Sequence, residues 1–360
     1  ILVKDSLKAL QELAQCHRNY LKLPIIALTG SNGKTTTKEL IHAVLSSKYR
    51  TKATIGNLNN HIGVPLTLLS FTSETEIGIV EMGANHKKEI EFLCELAQPD
   101  YGYITNFGKA HLEGFGGVLG VIEGKSEMYT YLSANDKLVF VNLEDPIQVE
   151  KTKNLNQYTF GVNRLGANIS VTTVTANPFV SVVFQDLKIV SHLIGLYNAT
   201  NINAAIAIGS YFEVPNEGIK LALEGYVPEN NRSQLITKGT NEIILDAYNA
   251  NPSSMAVAIE NFKQLGSSNK IAILGDMFEL GEESLQEHKN IVDSLSNQKD
   301  IVCYFVGADF FANSLNNDNF HFHASFNDLE TYLKTKQIEN STILIKGSRG
   351  MALERTLELL

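Results

Sequence analysis

Tryptophan is absent, and cysteine is nearly so, with only Cys16, Cys94 and Cys303 in 360 residues. An odd count at wide spacing excludes a disulfide framework and a CxxC metal site, and a reducing cytoplasm is expected. Positive charge is also short: 30 Lys and Arg stand against 39 Asp and Glu, for a formal net charge of -9. A sequence-independent grip on nucleic acid needs a basic surface, so that partner is excluded. No apolar run approaches the roughly 20 residues that span a bilayer, so no membrane span is expected, and the start lacks the charged and apolar regions of a signal peptide. The first residue is Ile1 rather than Met, which leaves open that these residues belong to a longer polypeptide.

What remains is ample for folding. A 44% hydrophobic content supports sizeable cores, and the length is too great for one ordinary domain. Leu7, Leu10, Leu13 and Ala14 recur at helical spacing within residues 4–20, so an amphipathic helix opens the chain. Pro24 then admits the apolar run Ile25-Ile26-Ala27-Leu28, a buried strand that feeds a glycine loop. Strand and helix patterns alternate from there to about residue 141, which predicts a parallel sheet covered on both faces. Between Tyr158 and Leu193 the pattern turns to Val, Thr, Phe and Ile at period two, and an antiparallel ribbon or subsheet is expected. A polar, turn-prone stretch at Pro228-Glu229-Asn230-Asn231 precedes a second strand and helix series starting at Ile243. The expectation is an α/β protein with a central phosphate-loop domain, mainly parallel, and a smaller doubly wound, Rossmann-like C-terminal domain. Its divisions are a helix and linker over 1–22, a central domain over 23–232 and a C-terminal domain over 233–360.

Gly30-Ser31-Asn32-Gly33-Lys34-Thr35-Thr36 follows the buried strand and opens a helix, the context a phosphate loop needs. Glycines let backbone N–H groups converge on phosphate oxygens, the helix N-terminus adds partial positive charge, Lys34 reaches the terminal phosphates and Thr35 can ligate Mg²⁺. Glu81 ends the run Ile77–Val80 on the same carboxyl edge of the sheet, where a carboxylate can hold Mg²⁺ against a nucleotide. A strand-end Glu is otherwise a solvated loop residue.

The compact Thr-Gly-Ser-Asn-Gly-Lys-Thr-Thr form, Thr29 to Thr36, resembles the Mur ligase family, to which the folylpolyglutamate synthetases also belong. The resemblance implies ATP as a substrate, two Mg²⁺ ions and further site residues. His111, in Asn106-Phe-Gly-Lys-Ala-His111, is similar to the histidine that ligates the second metal; alone, it reads as a surface residue. Lys125 matches a lysine that the family carbamylates with CO₂ into an anionic metal ligand; alone, it reads as a solvated helix lysine. Asn198 and Asn201, one helical turn apart, correspond to an adenine-contacting pair, and Asn198 also suits a helix cap. Arg232 matches an arginine that reaches phosphate from the hinge, preceded here by Asn231 where the family usually has Gly; Asn tolerates left-handed backbone next best. Asp246 completes the ATP side.

The motif Asp246-Ala-Tyr248-Asn249-Ala-Asn251-Pro252 looks like the form found in the branch that adds D-alanyl-D-alanine to UDP-N-acetylmuramoyl-tripeptide. Gly56-Asn57-Leu-Asn59-Asn60, Leu274–Gly281 and Lys346-Gly-Ser348-Arg349 agree. That resemblance implies substrate contacts from Asn57, Asn59, Asn60, Asn249, Asn251, Lys346, Ser348 and Arg349, and catalytic parts for Lys34, Lys125, His111 and Arg232. It also implies a peptidoglycan-precursor enzyme, expected as a monomer, working through an acyl phosphate. The family carries an N-terminal UDP-binding domain; only a short helix precedes the loop here, so that domain is expected to be lacking from these residues. Two other readings stay open: another amide ligase of the family, and a non-catalytic nucleotide-binding module.

Overall fold

The computed structural model describes residues 2–229, 231–267 and 269–360; Asn230 of the expected boundary turn lies outside the described residues. The chain divides into two compact units. The first takes residues up to Gly108, Gly114–His192 and Leu196–Tyr226; the second takes Lys109–Glu113, Leu193–Gly195 and Val227–Leu360.

In the first unit, β1 (Ile25–Thr29), β2 (Thr51–Ala53), β3 (Ile77–Glu81), β4 (Tyr101–Ile104), β5 (Leu138–Asn142), β6 (Asn156–Val162) and β7 (Ile169–Val171) form a seven-stranded sheet. Its order is β2-β3-β1-β4-β5-β6-β7, with neighbours parallel throughout. β1 is buried along its whole length, as its unbroken apolar run requires. Helices Lys34–Ser46, Asn198–Tyr211 and Asn216–Gly225 pack together as one layer; Ser6–Leu21, Gly63–Ser70, Glu89–Ala97 and Val118–Ala134 form another. After β1 the chain goes to one side, to β2 and β3, and then returns to place β4 on the other side. The carboxyl end of β1 is therefore a topological switch point, where doubly wound sheets open a crevice.

The expected ribbon over 158–193 is corrected in part. β6 and β7 extend the parallel sheet; only β8 (Thr173–Ala176), β9 (Phe179–Phe184) and β10 (Leu187–Ile194) form a separate three-stranded sheet, with β8 antiparallel to β9. The crossover that makes β6 parallel to β5 is the helix Pro146–Thr152, capped by the Asp145 carboxylate and started by Pro. Two turns are too few for an apolar period to stand out.

In the second unit, β11 (Gln234–Lys238), β12 (Asn241–Asp246), β13 (Lys270–Gly275), β14 (Ile301–Val306), β15 (Phe320–His323) and β16 (Thr342–Lys346) lie in the order β11-β12-β16-β13-β14-β15. Only β11 runs antiparallel to its neighbour. Ile243, Ile273, Ile343 and Ile345 are fully buried in its core. Asp246 and Lys346, in register at the ends of β12 and β16, come to one edge.

Candidate active site

The phosphate loop leaves β1 at the switch point, and its shape is enforced from both sides. Gly30 sits at φ +145°, and a Cβ there would lie 1.9 Å from Thr105 Oγ1. Thr105 and Asn106, just past β4, hold the loop apex. The Thr105 hydroxyl donates to the Asn32 carbonyl (2.6 Å), while the Asn106 amide accepts from Asn32 N–H (3.0 Å) and donates to its carbonyl (3.0 Å). Ser31 N–H donates to the Asn106 carbonyl (3.1 Å), and its hydroxyl to that of Gly108 (2.8 Å). Gly33, at φ +78°, starts the helix Lys34–Ser46 with no side-chain cap. Lys34 Nζ folds back to donate to the Gly30 carbonyl (2.8 Å), and Thr35 and Thr36 are buried in the first turn.

Asn198 and Asn201 meet the first turns of this helix. Asn201 Nδ2 donates to Asn198 Oδ1 (2.8 Å), and the Thr37 hydroxyl donates to Asn201 Oδ1 (3.0 Å). A Cβ on Gly33 would meet Asn201 Oδ1 at 2.8 Å. The Asn201 amide is thus committed to bracing the phosphate-loop helix. The helix it stands on begins at Asn198 with Tyr197 in the cap position, so Asn198 is not the cap.

Glu81, 1% exposed at the end of β3, faces the same first turn. Its Oε1 accepts from the Thr35 hydroxyl (3.2 Å) and from Asn59 Nδ2 (2.8 Å). Its Oε2 is buried, accepts no hydrogen bond, and lies 3.9 Å from Lys38 Nζ. A buried carboxylate oxygen that accepts no hydrogen bond and has only a distant ammonium beside it suits a cation. Lys38 escaped the sequence reading; its only signal is its place one turn beyond Lys34 on the same helix. Asn59, which the resemblance sets against substrate, donates to Glu81. Asn60 Oδ1 accepts from the N–H groups of Ile62 and Gly63 (3.0 and 2.9 Å), just ahead of the helix Gly63–Ser70, and Asn57 is exposed.

Lys125 is buried at 1% exposure inside the helix Val118–Ala134, so the solvated-lysine reading is excluded. Among the described residues its ammonium has no hydrogen-bond or ion-pair partner, and it lies 5.3 Å from the centre of the Phe115 ring. Burial, then the nearby Lys34 charge, hold its pKa well below the ordinary lysine range, against an opposing pull from Glu89. A neutral amine is the form that reacts with CO₂.

In the second unit, Lys346, 2% exposed, donates to Asp246 Oδ2 at 2.6 Å and to the Asn249 carbonyl at 3.3 Å. Ser348 receives the Phe278 N–H on its hydroxyl (2.9 Å). Asn251 caps the helix Pro252–Lys263 in a reciprocal capping box with Ser254, while Asn249 is exposed. Arg232 stacks on Tyr248, and Asn231 before it has φ +58°, the left-handed geometry that a Gly-to-Asn exchange accommodates. Arg349 is exposed and pairs with Glu354 (3.0 Å). His111, at φ +53°, groups with this unit and sets Nδ1 against the Glu279 carboxylate. Among the described residues no three His, Cys, Asp or Glu side chains converge as a ready metal cage, and no helix is long and apolar enough to cross a membrane.

Residues 28–209 match the Mur ligase middle domain, and residues 231–349 match the Mur ligase, glutamate ligase domain. The chain belongs to the Mur ligase family. As such it is an ATP-dependent ligase. The UDP-N-acetylmuramoyl-tripeptide–D-alanyl-D-alanine ligase of Bacillus subtilis (strain 168) is 36% identical over 99% of this Mur ligase and 80% of its own length. The crystal structure of MurF from Acinetobacter baumannii is similar with a TM-score of 0.89 at 31% identity, covering 99% of this chain and 81% of that one. MurF from Thermotoga maritima in complex with ADP is similar with a TM-score of 0.86 at 26% identity, covering 100% and 84%.

Proposed function

We propose that this Mur ligase joins D-alanyl-D-alanine to the terminal carboxylate of UDP-N-acetylmuramoyl-tripeptide, with ATP cleaved to ADP and phosphate, as a monomer in the cytoplasm. The observation that carries the chemistry is Glu81, whose open buried oxygen faces the first turn of a phosphate loop. The names of its relatives supply the two substrates.

In the proposed reaction the tripeptide carboxylate attacks the γ-phosphorus, forming an acyl phosphate and releasing ADP. The dipeptide amine then attacks the acyl carbon, loses a proton and expels phosphate. Positioning and charge stabilisation dominate such phosphoryl transfers. Lys34 exchanges its bond to the Gly30 carbonyl for the β- and γ-phosphates, while the loop N–H groups cradle them. Thr35, Glu81 and carbamylated Lys125 are the residues of the first unit that would hold Mg²⁺, and His111 is a further metal ligand by the family resemblance; bound Mg²⁺ supplies neutralisation of phosphate charge. Carbamylation suits Lys125 because its buried amine has no anionic partner among the described residues and is held toward neutrality. Arg232 donates to phosphoryl oxygens, and Asp246, held by Lys346, serves the ATP side. Asn249, Ser348 and Arg349 face the substrates, whereas Asn59 acts through Glu81.

The test is phosphate release with ATP, Mg²⁺, the UDP-linked tripeptide and D-alanyl-D-alanine. Release that depends on both the tripeptide and the dipeptide is expected, with loss in Lys34→Ala. Release at the wild-type rate in that variant, or without the dipeptide, would overturn the reading.

A further inference from the structure

Tyr248 belongs to the turn after β12, and nothing in the reaction above uses it. Its ring lies under the Arg232 guanidinium, with Cζ 3.5 Å from the ring centre. Among the described residues Arg232 has no carboxylate partner, so the ring face is what receives its charge. The backbone enforces this meeting. Asn231 and Ser233, on either side of Arg232, both have left-handed φ, +58° and +50°. Tyr248 N–H donates to the Asn231 carbonyl (3.2 Å), and Ser233 N–H donates to Asp246 Oδ1 (3.1 Å). The segment carrying Arg232 is therefore bonded, before and after that residue, to the turn carrying Tyr248. Asp246 is itself fixed by the buried Lys346 ammonium.

Stacking uses the face of a guanidinium and leaves its N–H edges open, whereas a carboxylate partner would occupy those edges. A long, flexible side chain otherwise loses much rotamer freedom when it engages an anion. We propose that Tyr248 is a positioning residue for the ligase reaction, whose ring holds Arg232 with its N–H donors presented to the transferring phosphoryl group. This rests on the phosphate role proposed above for Arg232. The hydroxyl of Tyr248 has no part in it.

The experiment is a double-mutant cycle on the full ligase reaction, with Tyr248→Leu, Tyr248→Phe and Arg232→Ala, read as kcat and as KM for ATP. Tyr248→Leu is expected to lower kcat/KM roughly three- to tenfold, the range of one cation–π contact. Tyr248→Phe is expected to regain most of that loss, because it restores the ring face. In the Arg232→Ala background, Tyr248→Leu should add less than about a twofold further loss. Full additivity of the two losses, or a Phe variant as impaired as Leu, overturns the positioning role while leaving the ligase reading intact. A wild-type rate in Arg232→Ala alone overturns both the role of Arg232 and the proposal. Circular dichroism melts of each variant identify misfolding, and a Leu variant that misfolds is replaced in the cycle by Tyr248→Met, with the same outcomes expected.

Discussion

Replacing Gly33 by alanine tests how the phosphate loop is held. At φ +78° an alanine is strained by about 1–2 kcal/mol. Its Cβ would also stand 2.8 Å from Asn201 Oδ1, inside any real contact distance, so the Asn201 amide must move. That amide makes two hydrogen bonds, to Thr37 and Asn198, and losing both costs about 2 kcal/mol more. Gly33→Ala is thus expected to destabilise the first unit by about 3–4 kcal/mol. Asn201→Ala alone should cost about 2 kcal/mol through the same two bonds. The combined variant should cost only about 3–4 kcal/mol rather than the sum, because the overlap and the bonds vanish together. Urea denaturation of wild type, both single variants and the double variant measures this coupling of about 2 kcal/mol. Single-variant effects that add within about 0.5 kcal/mol would refute the claim that Asn201 braces the loop through the Gly33 gap.

The remaining expectations concern other contacts. Glu81→Gln keeps the side-chain shape but removes the charge that suits a cation, so Mg²⁺-dependent phosphate release should fall at least 100-fold, roughly the loss of one electrostatic group in an active site; near-normal rates would sink Glu81 as a metal residue. With ¹³C-bicarbonate, a carbamate carbon signal should appear in the wild type and be absent from Lys125→Met, and a signal common to both would exclude that site. Lys346→Met leaves Asp246 without its buried partner, and chemical denaturation should show the second unit weakened by about 3 kcal/mol; no loss would mean the pair is not needed for stability. Burial raises the Cys94 thiol far above its usual range and pushes Cys303 up to about 12, while Cys16 is exposed. Iodoacetamide at neutral pH should therefore label Cys16 alone, as read by peptide mass spectrometry.

Local signals carried most of the first site. A buried apolar strand, a glycine loop and a Lys-Thr-Thr helix start are consecutive in the chain, so their geometry follows from short-range rules of backbone and helix termini. Glu81 could be placed at the same sheet edge because strand ends in a parallel sheet all point one way. The alternation of strands and helices likewise predicted parallel sheets, and failed where a crossover helix was short, at Pro146–Thr152. Contacts between distant residues were not legible. Nothing near Asn59 announces that its amide meets Glu81, and the burial of Lys38 and Lys125 depends on which helix faces the sheet packs against. An amide suits a nucleotide edge and a neighbouring hydroxyl alike, and only packing brings the Asn201 amide to Thr37.

What the amino-acid sequence determined by itself was the class of chemistry: a phosphate loop of a recognisable form, a carboxylate at the strand end beside it, and the family to which both belong. What only the tertiary structure decided was the state of each side chain, that one buried oxygen of Glu81 accepts no hydrogen bond, that Lys125 has no anionic partner among the described residues, and that Arg232 lies on Tyr248. The reason is physical. Residue type and spacing set what a group can do over a turn or two of chain, whereas burial and the nearest charge are properties of neighbours brought from far along it.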